Sequence, residues 1–417
     1  MKQKQRTQVV IIGAGPSGSV AAALLHQQNI DVIVVEKSTF PRFSIGESLL
    51  PACMEVIEQA KMLDAVTAAG FQYKDGAAFR YQDRYTAFNF NDKFTSGIGT
   101  TYQVQRGDFD KVLADEAVVQ GVEIRYQHTV DAIECLANKS VLTIVDEQQQ
   151  KYTIDADFVL DASGFGRVLP RLLGLEKPSH LPSRQAIFCH ITDHIDADLC
   201  LVEYDRNKIL ISVHPHSADV WYWLIPFSNG TCSLGVVAPP HWLAKYGDDP
   251  LMVLKQLVIE EPGLANVLAH AEYPQVASTI GGYSANVTQL ATSNYALLGN
   301  AGEFLDPVFS SGVTIAMKSA QLAAGVLGRA FAGENIDWQR DYAEPLMLGV
   351  DTFRTYVEGW YSGELQTVIF HPNPDPKIKQ MICAILAGYA WDTHNPFVAQ
   401  SQRRLAVVAA ICADNIK

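Results

Sequence analysis

Basic residues are in short supply. The chain carries 32 lysines and arginines against 45 aspartates and glutamates, a formal charge of −13, so it repels a polyanion and nucleic acid is not expected as a partner. The stronger reading of that balance is simply a charge that keeps the chain soluble. Cysteine is sparse and odd in number, seven residues at Cys53, Cys135, Cys189, Cys200, Cys232, Cys383 and Cys412. With no C-x-x-C pair and mostly apolar neighbours, they point to reduced buried thiols rather than a disulfide framework or a zinc site. His190 and His194 have the spacing of helical ligands, but they, His180, His214 and His216 stand in strand- and turn-like surroundings without H-E-x-x-H, so no metal is expected. No apolar run reaches the roughly 20 residues of a spanning helix, and the stretches 320–330 and 405–412 read as buried helices. MKQKQRT leads into no signal-peptide core, no G-x-S-x-G elbow supports acyl transfer, and there is no repeat or low-complexity tract. A cytoplasmic location without membrane attachment is the expectation these absences leave.

What is present is an apolar core. Over 417 residues, 48% are hydrophobic and 18% charged, enough for one large or two medium domains. Residues 8–13 (QVVIIG) form a continuous apolar run suited to a central parallel strand, 19–28 read as an Ala/Leu-rich helix, and 31–36 (DVIVVE) as a second buried strand. Together they make a β-α-β unit. Helix is expected at 108–120 and strands at 122–126 and 153–162. From about Arg184 to Ala285, strand-like patches at 208–213, 220–225 and 231–237 separated by turns suggest an antiparallel sheet. Residues 295–299 restore a parallel strand, a helix follows from Gly312, and the chain beyond Trp338 reads as helical. The fold class expected is α/β: a discontinuous Rossmann-type nucleotide-binding domain (1–183 and 286–335), an inserted antiparallel β substrate domain (184–285) and a helical C-terminal segment (336–417).

The glycine pattern carries the chemistry. Gly13-Ala14-Gly15-Pro16-Ser17-Gly18 is G-x-G-x-x-G between strand and helix. Gly13 permits the tight turn, Gly15 lets a pyrophosphate reach the backbone, and Gly18 allows close helix packing. The helix N-terminus offers free N–H groups and a partial positive charge. Glu36, with Lys37 beside it, ends the second strand about 20 residues on, where a carboxylate binds ribose hydroxyls. Two later segments favour FAD over NAD. One is Asp161 to Arg167, a strand end with a turn at Gly164; the other is Gly299-Asn300-Ala301 followed by Asp306-Pro307 and the helix at Gly312 and Val313, whose N-terminus would face the flavin pyrimidine. Only one complete dinucleotide motif is present, so no NAD(P)H domain is read.

Four stretches, Gly13 to Gly18, Phe40 to Ser48 (FPRFSIGES), Trp221 to Pro226 (WYWLIP) and Phe304 to Gly312 (FLDPVFSSG), resemble the flavin-dependent halogenases, which share the fold of the class A aromatic hydroxylases. The resemblance runs from residue 8 to about 330, with similarity at Trp391-Asp392 and Asn395-Pro396-Phe397. It implies reduced FAD from a separate flavin reductase, oxygen, a halide ion, and an electron-rich aromatic substrate, small or carrier-tethered. The lysine that directs halogen would be Lys74. Trp221, Trp223 and Pro226 would form a barrier between flavin and substrate, and Ile45, Gly46, Glu47 and Ser48 would lie against the isoalloxazine. Arg42 and Arg106 would contact FAD, and Ser310, Ser311 and Gly312 would contact halide and flavin. The plainer alternatives are a surface lysine beside Asp75, a tryptophan pair that is sheet core, a helix-entry loop and surface ion pairs. The chain departs from the free-tryptophan halogenases at Phe309, where they have glutamate, and lacks their longer C-terminal region. Asn300 stands where many class A flavoproteins have aspartate. Hydroxylation of an aromatic ring or partner-protein residue, reduction of an unsaturated lipid, and a non-enzymatic flavin-binding role remain alternatives.

Overall fold

A computed structural model describes residues 5–196 and 200–414. The N-terminal leader reading and the outer ends of the expected segments (residues 1–4 and 415–417) lie outside the described residues. The apolar run becomes the strand Gln5–Ile12, parallel to Val32–Glu36 on one side and to Lys151–Asp161 on the other. Glu123–Tyr126 extends this sheet beyond Val32–Glu36, and Tyr295–Leu297 adds a parallel strand against Lys151–Asp161. Lys139–Val145 and Thr129–Leu136 continue it antiparallel. Val9, Val10 and Ile11 are wholly buried, as a parallel strand covered on both faces requires. The helices Pro16–His26 and Ser311–Phe331 pack together, and alanines fill their contact.

The second sheet runs in the order Ser278–Gly281, Gln185–Thr192, Thr231–Ala238, Ser217–Pro226, Lys208–His214, Gly76–Tyr81, Arg84–Asn89. It is not confined to residues 184–285, because the hairpin 76–89 joins it and Gly76–Tyr81 pairs parallel with Lys208–His214. The four strands between 185 and 238 pair antiparallel, as their turn-punctuated pattern implies. Hairpin 76–89 pairs with a strand more than a hundred residues away, and a partner so distant leaves no local signal in the sequence. The tail folds into helices, the longest being Glu344–Ser362, which packs on Ser311–Phe331. Among the described residues no helix is long and apolar enough to cross a membrane.

Candidate active site

A cavity of about 770 Å³ lies between the two sheets. Its nucleotide end is built by the first β-α-β unit. Gly13 has φ +96°, and a Cβ there would lie 2.8 Å from the Ala162 carbonyl oxygen. A Cβ on Gly18 would lie 1.9 Å from the Gly13 carbonyl oxygen, so both glycines are required by close backbone approach. Gly15 differs: the nearest atom to its Cβ position is Arg42 Nη2 at 3.5 Å, and the position opens on the cavity. No side chain caps the helix that starts at Pro16, and Gly15, Pro16 and Ser17 line the cavity, so the free N–H groups of its first turn are available to an anion. Glu36 is buried; its Oε2 accepts from Ala14 N at 2.8 Å and its Oε1 from Ser38 N at 2.9 Å. That anchors the carboxylate at the cavity edge beside Lys37.

The middle of the cavity is braced by arginines. Arg106 donates to both oxygens of Asp110, at 2.7 and 3.1 Å, and from Nη1 to the Ile45 carbonyl at 2.7 Å. Its i,i+4 partner thus aims the guanidinium while the outer nitrogen fixes the loop that places Ile45, Gly46, Glu47 and Ser48 in the wall. Arg42 lies 3.8 Å from Glu36 and 3.4 Å from Asp110 and covers the Phe40 ring at 4.7 Å. Arg167, in left-handed backbone, donates to the carbonyls of Asn300 and Asn286 at 3.1 and 2.9 Å and ties the two later loops together. Gly164, Asn300, Pro307, Ser310, Gly312 and Val313 complete this wall.

Several expected residues lie elsewhere. Asp161 is fully buried and away from the cavity: its carboxylate accepts from Ser163 N at 2.9 Å and Leu169 N at 2.6 Å, holding the turn and the next helix, while burial pushes its pKa up. Ala301 is buried under Asn300, Ser311 turns away from the cavity while Ser310 and Gly312 face it, and Pro226 gives way to Ile225 in the lining. Alternation explains the last two, since neighbours along a strand or helix turn point to different faces.

Lys74 is neither a surface lysine nor a cavity residue. It is wholly buried, donating from Nζ to Ser48 Oγ at 2.8 Å and to the Leu49 carbonyl at 2.7 Å, with the Phe90 ring centroid 5.4 Å away. Burial draws its pKa down from 10.5 to about 7, and no carboxylate is among the groups acting on it. Asp75 next to it turns away to pair with Lys208 at 2.9 Å. Ser48 separates the amine from the cavity.

At the far end the walls become apolar. Trp221 and Trp223 share a face, ring centroids 6.0 Å apart, and both line the cavity with Ile209, Ile211, Ile225 and Tyr283. A Cβ on Gly235 would lie 2.3 Å from the Trp223 ring, so that glycine lets the indole lie flat on the adjacent strand. Trp221 Nε1 donates to Tyr361 Oη at 3.0 Å, and Tyr361 donates to Asp306 Oδ2 at 2.9 Å. Asp306 is almost completely buried, and burial pushes its pKa up to about 6. None of this network was legible in the linear pattern, nor was the pairing of Glu47 with His190 at 2.7 Å; Asp110 alone had a signal, four residues beyond Arg106 on one helix.

Residues 6–233 match the family model described as FAD binding domain. The chain belongs to this family of FAD-binding flavoproteins, and FAD is its cofactor. The crystal structure of a flavoprotein/dehydrogenase from Cytophaga hutchinsonii is 43% identical, superposes with a TM-score of 0.94, and is matched over 99% of this chain and 100% of that one. The chain is similar also to flavin-dependent halogenases: 26% identical to the 1H-pyrrole-2-carbonyl-[peptidyl-carrier protein] chlorinase of Pseudomonas fluorescens, over 97% of this chain and 94% of that protein, and 29% identical to the corresponding brominase of Pseudoalteromonas luteoviolacea, over 82% of each. It shares its fold with a flavin-dependent brominase structure, 24% identical, which superposes with a TM-score of 0.80 over 99% of this chain and 98% of that one. The uncapped helix end, the open Cβ position of Gly15 and the anchored Glu36 carboxylate fit a dinucleotide.

Proposed function

We propose that the chain halogenates an electron-rich aromatic ring, using reduced FAD from a separate flavin reductase, oxygen and halide. The observation that carries this reading is the amine of Lys74, sealed from solvent, without a counter-ion, one side chain from the cavity. A buried unpaired ammonium costs folding free energy, and burial lowers its pKa to about 7, which favours the neutral amine. Such an amine hydrogen-bonds hypohalous acid as a cation or takes up halogen through its lone pair as a free base. FAD, when bound, supplies the two-electron activation of oxygen.

The protein's residues do the rest. Gly13, Gly15, Pro16, Ser17 and Gly18 hold the pyrophosphate on main-chain amides, Glu36 takes ribose hydroxyls with Lys37 beside it, and Arg42 and Arg106 face phosphate or ring oxygens. Ile45 to Ser48, Asn300, Pro307, Gly312 and Val313 surround the flavin. Trp221 and Trp223 limit how closely a substrate approaches it. In this division the nucleotide part comes from residues 1–183 and 286–335, and the substrate wall from 184–285 with the hairpin 76–89. The pyrrole-carrier relatives support a substrate presented on a carrier protein.

A second reading has its own observation. Ile209, Ile211, Ile225 and Tyr283 open into the same cavity as the nucleotide cradle, so a ring could lie against the flavin and take up oxygen directly. Turnover with a flavin reductase and an electron-rich pyrrole or phenol, with and without bromide, separates the two. A product with bromine's isotope pattern supports halogenation, bromide-independent gain of oxygen supports direct hydroxylation, and product formed without oxygen would sink both in favour of a dehydrogenase or reductase.

A further inference from the structure

Glu47 and His190 are 143 positions apart, the first in the loop that follows Val32–Glu36 and the second on the strand Gln185–Thr192, yet His190 Nε2 and Glu47 Oε1 are 2.7 Å apart. The two ends of this pair see different surroundings: 31% of the His190 side chain is exposed, against 2% for Glu47. Glu47 lines the cavity next to Gly46 and Ser48, whereas His190 lies outside its lining, against the rings of Phe43 and Phe227 at 5.9 and 5.2 Å. The contact therefore crosses the wall, with a titratable group on each side.

We propose that His190 and Glu47 form a proton relay that carries protons from solvent into the flavin cavity. The relay rests on the reading that reduced FAD reacts with oxygen here, and is independent of halide and substrate. In the simplest balanced case reduced FAD, when bound, would supply two electrons and its N–H proton to oxygen, and the second proton of the hydrogen peroxide would come from His190 Nε2–H, handed across by the Glu47 carboxylate. Glu47 is thus left as the carboxylate it began as, and solvent reprotonates His190. Burial alone would lower the imidazole pKa, but the hydrogen bond and charge of Glu47 outweigh it and the net shift is upward. Surrounding charges are committed elsewhere. Arg106 is held by Asp110, Arg206 by Asp193 behind Phe227, and Glu272 lies near His194 beyond the strand end, while the Lys74 amine, without a counter-ion, points its hydrogens at Ser48 and the Leu49 carbonyl. Lys255 acts on Cys189, which alternates to the opposite face.

The test is stopped-flow oxidation of the FAD-loaded, prereduced protein by oxygen from about pH 5.5 to 9, paired with an NMR titration of the His190 imidazole. The wild-type rate is expected to fall as pH rises through the imidazole's titration. His190→Ala should be slower by about tenfold or more, lose that limb, and regain rate with added imidazole while binding FAD as before. In Glu47→Gln the His190 titration should move to lower pH even in the FAD-free protein. An oxidising wild type with an unaltered rate and limb in His190→Ala overturns the relay alone, as does a slow variant that imidazole fails to rescue. Bound reduced FAD that is inert to oxygen in the wild type overturns the oxygen reading and the relay together.

Discussion

Lys74 Nζ donates to Ser48 Oγ at 2.8 Å, and Ser48 is part of the cavity wall, so a buried amine touches the flavin site through a single hydroxyl. Lys74→Met keeps the volume and removes the amine. It should abolish halogenation while leaving bound FAD unchanged, measured by product mass and flavin absorbance. The folded-state pKa of about 7 lies below the ordinary 10.5, so between these values the unfolded chain binds more protons and wild-type stability rises with pH. The penalty is complete below pH 7 and gone above about 10.5. Lys74→Met should therefore be more stable than wild type by roughly 1–4 kcal/mol at pH 7, with the gap closing towards pH 10. A constant gap in denaturant melts would contradict the burial argument.

The two glycines that end the dinucleotide motif separate binding from folding. At Gly18 a Cβ would meet the Gly13 carbonyl at 1.9 Å, so Gly18→Ala should lose about 1–3 kcal/mol of stability by overpacking. At Gly15 the nearest atom is 3.5 Å away and φ is −69°. Gly15→Val should thus keep its melting temperature in the FAD-free protein and fail to retain flavin, because its side chain occupies the phosphate's place. A yellow Gly15→Val protein would remove the pyrophosphate assignment.

Glu36 holds Ala14 N and Ser38 N through its two oxygens. Glu36→Ala removes a charged partner from both amides and the proposed acceptor of the ribose hydroxyls. FAD affinity should fall about 10- to 100-fold, read by flavin fluorescence titration. Unchanged affinity would show that the ribose lies elsewhere.

The parts of the site that could be read along the chain share a local signal. Gly13 to Gly18 and Glu36 sit at fixed offsets within one β-α-β unit, where turn, helix start and strand end follow from neighbouring residues. Trp221 and Trp223 share a face because strand periodicity is two. Asp161, Ala301, Ser311 and Pro226 lie within the segments that build the cavity but outside its lining, because which side of a turn or strand a residue faces is set by tertiary packing. Asp161 accepts from two backbone amides and lies outside the cavity lining. His190 with Glu47, and Tyr361 with Asp306, are juxtaposed by tertiary packing between distant segments, and nothing in either local stretch announces the partner.

Asp306, at the start of the loop leading into the helix Ser311–Phe331, accepts from Tyr361 at 2.9 Å and from Val308 N at 3.1 Å, with Tyr283 Oη at 3.5 Å. Burial lifts its pKa from 3.8 to about 6. A raised carboxyl pKa favours the folded state fully below about pH 4, and that contribution is lost as pH rises through 6. Replacing the carboxyl by an amide of the same shape removes the titration and keeps one acceptor oxygen for Val308 N, while the amide N–H donates to the Tyr361 hydroxyl, which can accept as well as donate. Asp306→Asn should therefore gain on wild type by about 3 kcal/mol between pH 4 and pH 6, then hold a constant difference above it. Tyr361→Phe should act in the opposite direction, costing about 1–3 kcal/mol, because it strips the partner from both the Trp221 indole and the Asp306 carboxyl. Loosening of Trp221 should appear as a red-shifted tryptophan emission in Tyr361→Phe at a pH where the protein remains folded. If the stability difference between Asp306→Asn and wild type is flat from pH 4 to pH 7, the carboxyl titrates in its ordinary range and its burial beneath the tryptophan wall does not hold the proton on it.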